Sequence, residues 1–158
     1  MSDEDERDEN SCSMKWMNIV QTHNERLIVL LDELREEYPT AEWVLFDAYS
    51  IFLDGYLNPS NYGILYPFKA CCGAGGTYNV NTMNVICGMD AQYINGTLVA
   101  WTKCENPKLH LIWDSIHPVE SFAYHIAQGV LNGTHLVPPF SLKERVQSTR
   151  EVNLEMRR

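Results

Sequence analysis

The residues best suited to chemistry lie together in Trp113-Asp114-Ser115-Ile116-His117-Pro118, where a carboxylate precedes an imidazole by three positions. In a tight loop the two can meet: the carboxylate accepts the Nδ1 proton, fixes the tautomer and leaves Nε2 free as a general base. That pairing is two-thirds of a serine-hydrolase triad. The same residues also read as an ordinary helix entry, with Asp114 capping the segment after Pro118 and His117 on the surface. Spacing alone does not choose between these readings.

Other clusters carry blander readings. Gly73-Ala74-Gly75-Gly76 has the glycine density of a phosphate cradle, but the lysine and Ser/Thr of a P-loop do not follow, so a turn beside a disulfide is expected. His110, Asp114, His117 and His125 fit no metal-ligand spacing, and neither metal nor cofactor is expected. The cysteines are Cys12, Cys71, Cys72, Cys87 and Cys104, and they match no paired CxxC zinc pattern. Disulfides are the expectation, although not between the adjacent Cys71 and Cys72. Trp16, Trp43, Trp101 and Trp113 read as packing residues rather than a sugar platform.

The elements that must position the pair follow from periodicity. Met14, Met17, Val20, Leu27, Leu30, Leu31 and Leu34 recur at helical spacing opposite Glu33, Arg35, Glu36 and Glu37, predicting one amphipathic helix over 13–38 that Pro39 stops. Trp43-Val44-Leu45-Phe46-Asp47 is a short apolar run without alternation, which suits a buried parallel strand. Asp47 offers an acceptor to the first free amides of a short helix from Ala48 to Leu57, ended by Asn58-Pro59. Residues 60–102 hold glycine, asparagine and tyrosine without a sustained period, and read as decorated loops with short strands. Val119, Phe122, Ile126 and Val130 restore helical spacing from Pro118 to Leu131, with Asn132-Gly133 as the stop. Helix, strand and helix in this order imply an α/β layered fold.

Composition bounds the rest. A chain of 158 residues builds one modest domain, or part of one. Much of its net charge of −9 sits in an acidic arm over residues 1–12, where Asp3, Glu4, Asp5, Glu6, Asp8 and Glu9 face only Arg7. Such a run is expected to be solvated and disordered, and it lacks the positive start and apolar stretch of a secretory signal. No basic stripe appears, which argues against a nucleic-acid partner. No apolar run reaches the roughly 18 to 20 residues of a transmembrane segment. Asn95-Gly-Thr and Asn132-Gly-Thr are glycosylation sequons, which with the cysteines lean toward an oxidising compartment.

Three ordered stretches resemble the plant GDSL esterase/lipase family, a branch of the SGNH hydrolases. They are His23-Asn24 with Leu27 to Pro39 and Phe46-Asp47-Ala48-Tyr49; Ala70-Cys71-Cys72-Gly73-Ala74-Gly75-Gly76-Thr77-Tyr78-Asn79 with Cys87-Gly88; and Cys104-Glu105-Asn106-Pro107 running into Trp113 to Pro118 and Ile126 to Gly133. The resemblance covers residues 8–138 and implies the carboxyl-terminal portion of that domain over 13–140, with a polar tail over 141–158. It implies a partial flavodoxin-like α/β/α sandwich lacking the amino-terminal strands, and an active site at strand carboxyl ends. It implies hydrolysis of a small ester or lipid substrate by a Ser-His-Asp mechanism, with Asp114 as acid partner and His117 as base, in an extracellular setting.

The family's nucleophile belongs to a Gly-Asp-Ser motif, and its oxyanion donors are that serine's own backbone amide, a glycine and an asparagine from a Gly-x-Asn-Asp block; neither motif occurs here. His110 stands where the family usually shows an aromatic residue. The chain alone is therefore expected to be inactive, because an imidazole without its serine has nothing to activate. The alternative expectation is a truncated product that acts as an interaction protein through an exposed sheet edge.

Overall fold

The computed structural model describes residues 6–80, 82 and 84–147. Its elements in chain order are α1 (Met14–Glu37), β1 (Leu45–Phe46), α2 (Ala48–Leu57), β2 (Cys72–Gly73), β3 (Gln92–Ile94), β4 (Thr97–Val99), β5 (Thr102–Lys103), α3 (Glu120–Asn132) and β6 (Leu136–Val137). Single 3-10 turns occupy Pro59–Tyr62 and Pro107–Leu109, and residues 142–147 are helical. The class is mixed α/β with small sheets. Residues 1–5 of the expected acidic arm and 148–158 of the expected tail lie outside the described residues.

The chain divides into two compact units, one running to Phe46 with Leu136–Pro138 added, the other comprising Asp47–His135 and the segment from Pro139. In the first unit α1 forms as its periodicity predicts, and the Tyr38 amide closes it on the Leu34 carbonyl just before Pro39. The Arg35 guanidinium donates to the carbonyls of Trp43 and Val137 at 2.9 and 3.1 Å, tying α1 to the strand pair β1–β6. Yet α1 buries no residue fully. Trp16, Ile19, Val20 and Leu30 remain exposed beside a half-buried stripe of Met17, Leu27, Leu31 and Leu34.

The buried parallel strand expected at 43–47 takes a different form. Only Leu45 and Phe46 are strand, both are half-buried, and they pair antiparallel with β6 in the register Leu45↔Val137 and Phe46↔Leu136. An apolar run shows that a segment can be covered but not in which direction its neighbour runs, and the neighbour within this chain is a returning segment. The described strands form three two-stranded sheets, all antiparallel.

The second unit holds nearly all of the core. Asp47 caps α2 as expected, its carboxylate accepting from the Ser50 amide at 3.0 Å. Phe122 of α3 is 1% exposed and meets Phe52 of α2 and Tyr62 edge-on, with ring centroids 5.4 and 5.2 Å away. The two helices approach this closely because Gly55 has no side chain: a Cβ there would stand 2.7 Å from the Phe122 ring. Helix α3 begins two residues later than Pro118, since the Val119 amide is taken by the Leu111 carbonyl and Pro118 bridges Ile112. It stops at Asn132, with Gly133 in the left-handed cap.

Residues 60–102 do contain short strands. Asn95 and Gly96 both have positive φ, 48° and 79°, which is the two-residue turn that joins twisted antiparallel strands, here β3 and β4. The Asn-Gly pair carried that hairpin signal besides being part of a sequon.

Candidate active site

Two disulfides set the base on which the candidate site stands. Cys71 bonds to Cys104 and Cys72 to Cys87, while Cys12 is a half-buried free thiol. Adjacent cysteines thus reach in two directions, as two side chains successive in an extended segment must. Beside them the glycine-rich stretch is a turn organised by Asn79, whose buried side chain accepts from the Gly75 amide at 2.9 Å and donates to the Ala70 carbonyl at 3.1 Å. A Cβ on Gly73 would lie 1.7 Å from the Asn79 carbonyl oxygen, so backbone approaches backbone where no side chain fits.

This cystine-bearing strand holds the candidate loop by its backbone. The amides of Cys71 and Cys72 donate to the carbonyls of Ile112 and Trp113 at 3.0 and 2.6 Å. The loop then closes on itself, the Trp113 amide donating to the His117 carbonyl at 2.8 Å above the Ile112–Pro118 bridge. Within that bend one carboxylate oxygen of Asp114 accepts from the amides of Ile116 and His117 at 2.8 and 2.7 Å. Its other oxygen lies 2.9 Å from His117 Nδ1, and the first lies 3.2 Å from the same nitrogen.

An ionised carboxylate only accepts, so Nδ1 carries the hydrogen and Nε2 presents its lone pair. Desolvation pushes the Asp114 carboxyl upward, but the hydrogen bonds from the His117 ring and from the backbone amides of His117 and Ile116 prevail, and its pKa falls below the ordinary carboxylate value. Asp114 is mostly covered and the His117 ring largely exposed, with side chains 22% and 67% accessible. The arrangement can accept a proton at Nε2 and stabilise the resulting imidazolium. Ser115, between the two, is exposed.

The other histidines weighed for a metal go elsewhere. His110 is buried with Nδ1 2.7 Å from the Lys69 carbonyl, and its ring leans on Tyr66. His125 packs edge-on against Tyr62. Among the described residues no group of three or more His, Cys, Asp or Glu side chains converges, and no helix is long and apolar enough to cross a membrane.

Comparison with known proteins adds what geometry cannot. The chain is 36% identical to the GDSL esterase/lipase At1g28600 of Arabidopsis thaliana over 141 residues, covering 88% of this chain and 33% of that protein. It is 35% identical to the GDSL esterase/lipase ENOD8 of Medicago truncatula over 136 residues, covering 86% and 34% respectively. The chain is a relative of the plant GDSL esterase/lipases. It spans about a third of the length of the curated GDSL relatives it matches. No family model matches it, and no solved structure does.

Proposed function

We propose that this chain contributes the acid and base partners of a GDSL-type carboxylic ester hydrolase, with His117 as general base and Asp114 as its orienting carboxylate. The observation that carries the reading is the approach of His117 Nδ1 to both carboxylate oxygens of Asp114, in a bend that leaves Nε2 accessible. The nucleophilic serine and the oxyanion donors come from sequence outside these 158 residues. In the complete site, His117 Nε2 takes the serine proton as the hydroxyl attacks the ester carbonyl, and returns it to the departing alcohol. Water then attacks the acyl-enzyme by the same base, releasing the acid.

Under this reading the segment over 13–140 is the carboxyl-terminal portion of a flavodoxin-like domain, and small esters or lipids are the substrates. Two disulfides and the exposed side chains of Asn95 and Asn132 favour a secreted, glycosylated protein. The exposed apolar side chains of α1, together with the edge of β1 that faces away from β6, favour association with further polypeptide.

The test is a chimaera joining the upstream two-thirds of the Arabidopsis relative to this chain, assayed on a short p-nitrophenyl ester. Activity in the chimaera, its loss in His117→Ala, and background rates from the isolated chain are the expected results. Equal activity in the chimaera and its His117→Ala form would remove His117 from the chemistry.

A further inference from the structure

A cavity of about 260 Å³ opens over the Cys71–Cys104 disulfide, lined by Tyr66, Lys69, Thr102, Lys103 and His110 among others. Neither Asp114 nor His117 lines it. In a chain of net charge −9 the lining of this cavity holds two lysines and a histidine and no carboxylate. Neither lysine makes an ion pair with a carboxylate among the described residues. Both are exposed, so each ammonium is free to turn toward a ligand without breaking a contact.

His110 adds direction. It is only 5% exposed, and its Nδ1 faces a carbonyl, which can only accept, so Nδ1 carries the hydrogen. The other ring nitrogen, Nε2, has no hydrogen-bond partner among the described residues. The tilted Tyr66 ring, 4.9 Å from the imidazole, holds this orientation. A ligand satisfying the whole set must present negative oxygens to two ammonium groups and a further hydrogen-bonding oxygen to the imidazole. A plain carboxylate has only two oxygens for these three groups. A phosphate monoester group carries three such oxygens on one centre.

We propose that this cavity is a binding site for a phosphate monoester group, with Lys69 and Lys103 taking its charge and His110 Nε2 hydrogen-bonding its third oxygen. The group could be borne by a soluble ligand or by a lipid headgroup, and the test separates them. The oxidised full chain is titrated calorimetrically with inorganic phosphate, and binding is measured separately to phosphatidylcholine vesicles with and without phosphatidic acid.

Saturable binding of one phosphate per chain is expected, weakened about tenfold in Lys69→Met and again in Lys103→Met, and retained in Lys69→Arg. His110→Phe should also weaken it, while Lys143→Met, outside the cavity lining, should leave it unchanged. Added response to the phosphatidic acid vesicles that depends on the same residues assigns the lipid source; response to inorganic phosphate alone assigns a soluble one. Absence of saturable binding up to about 10 mM phosphate, equal binding by all variants, or binding to vesicles without binding to inorganic phosphate would overturn the proposal.

Discussion

The Cys72 amide donates to the Trp113 carbonyl at 2.6 Å, tying a cystine-bearing strand to the residue immediately before Asp114. The bend that brings Asp114 to His117 therefore rests on covalent cross-links as well as on its own hydrogen bonds. Cys72 and Cys87 enclose a loop with a sequence separation of 15, and closing such a loop stabilises the folded chain by about 3 kcal/mol through the entropy of the unfolded state. Replacing both with serine should lower stability by about that much in urea unfolding, and should also broaden the His117 ring resonances. Sharp, unshifted resonances in that variant would show that the bend is independent of the cross-link.

In an active chimaera, Asp114→Asn should reduce kcat on the order of ten-thousandfold, because an amide can face Nδ1 with its hydrogens and select the wrong tautomer. The readout is kcat with KM unchanged, since the carboxylate touches no substrate. A loss below about tenfold would reduce Asp114 to a loop-forming role.

Hydrogen bonds hold the Asp114 pKa below its ordinary value of about 3.9. The carboxyl thus binds its proton less readily when folded than when unfolded. Its contribution to stability is present above the unfolded value and is lost as pH falls through the lower, folded value. An acid titration followed by NMR should place the Asp114 midpoint below that of a free aspartate, and Asp114→Asn should flatten the acid limb of the stability curve.

Asp47→Ala removes the acceptor for the Ser50 amide at the start of α2 and should cost about 1 kcal/mol. Urea unfolding measures it. Asp47→Ser, which keeps a capping oxygen, should recover most of the loss.

Gly73→Ala forces a methyl group into the Asn79 carbonyl, 1.7 Å away, where the obstacle is backbone and cannot swing aside. A destabilisation of about 3 kcal/mol is expected from thermal or urea unfolding, well beyond the roughly 0.5 kcal/mol of an ordinary surface change. A neutral result would mean that the Ala70–Asn79 turn is looser than its hydrogen bonds imply.

Local rules made much of this readable in advance. The span of α1, the Asp47 cap and the Gly133 stop all depend on residues within a few positions of one another, and the meeting of Asp114 with His117 is one that their spacing permits and the bend completes. The partner and direction of β1 were not legible, because pairing Leu45 with Val137 is decided 92 residues away and leaves no local trace (137 − 45). Which cysteine joins which was closed for the same reason, since five thiols allow many pairings. The β3–β4 hairpin was legible but missed: Asn95-Gly96 was weighed as a modification signal rather than as a turn. His110 offered no local sign of its place in the cavity, which depends on its contact with Lys69, 41 positions earlier.

Exposed Trp16, Ile19, Val20 and Leu30 give α1 a sticky flank whose consequence is colloidal. Two such helices meeting in solution bury that flank against each other, so the working concentration of the purified chain governs whether it stays dispersed. Mild detergent or arginine in the buffer should therefore extend its shelf life more than any substitution in the well-packed region around Phe122.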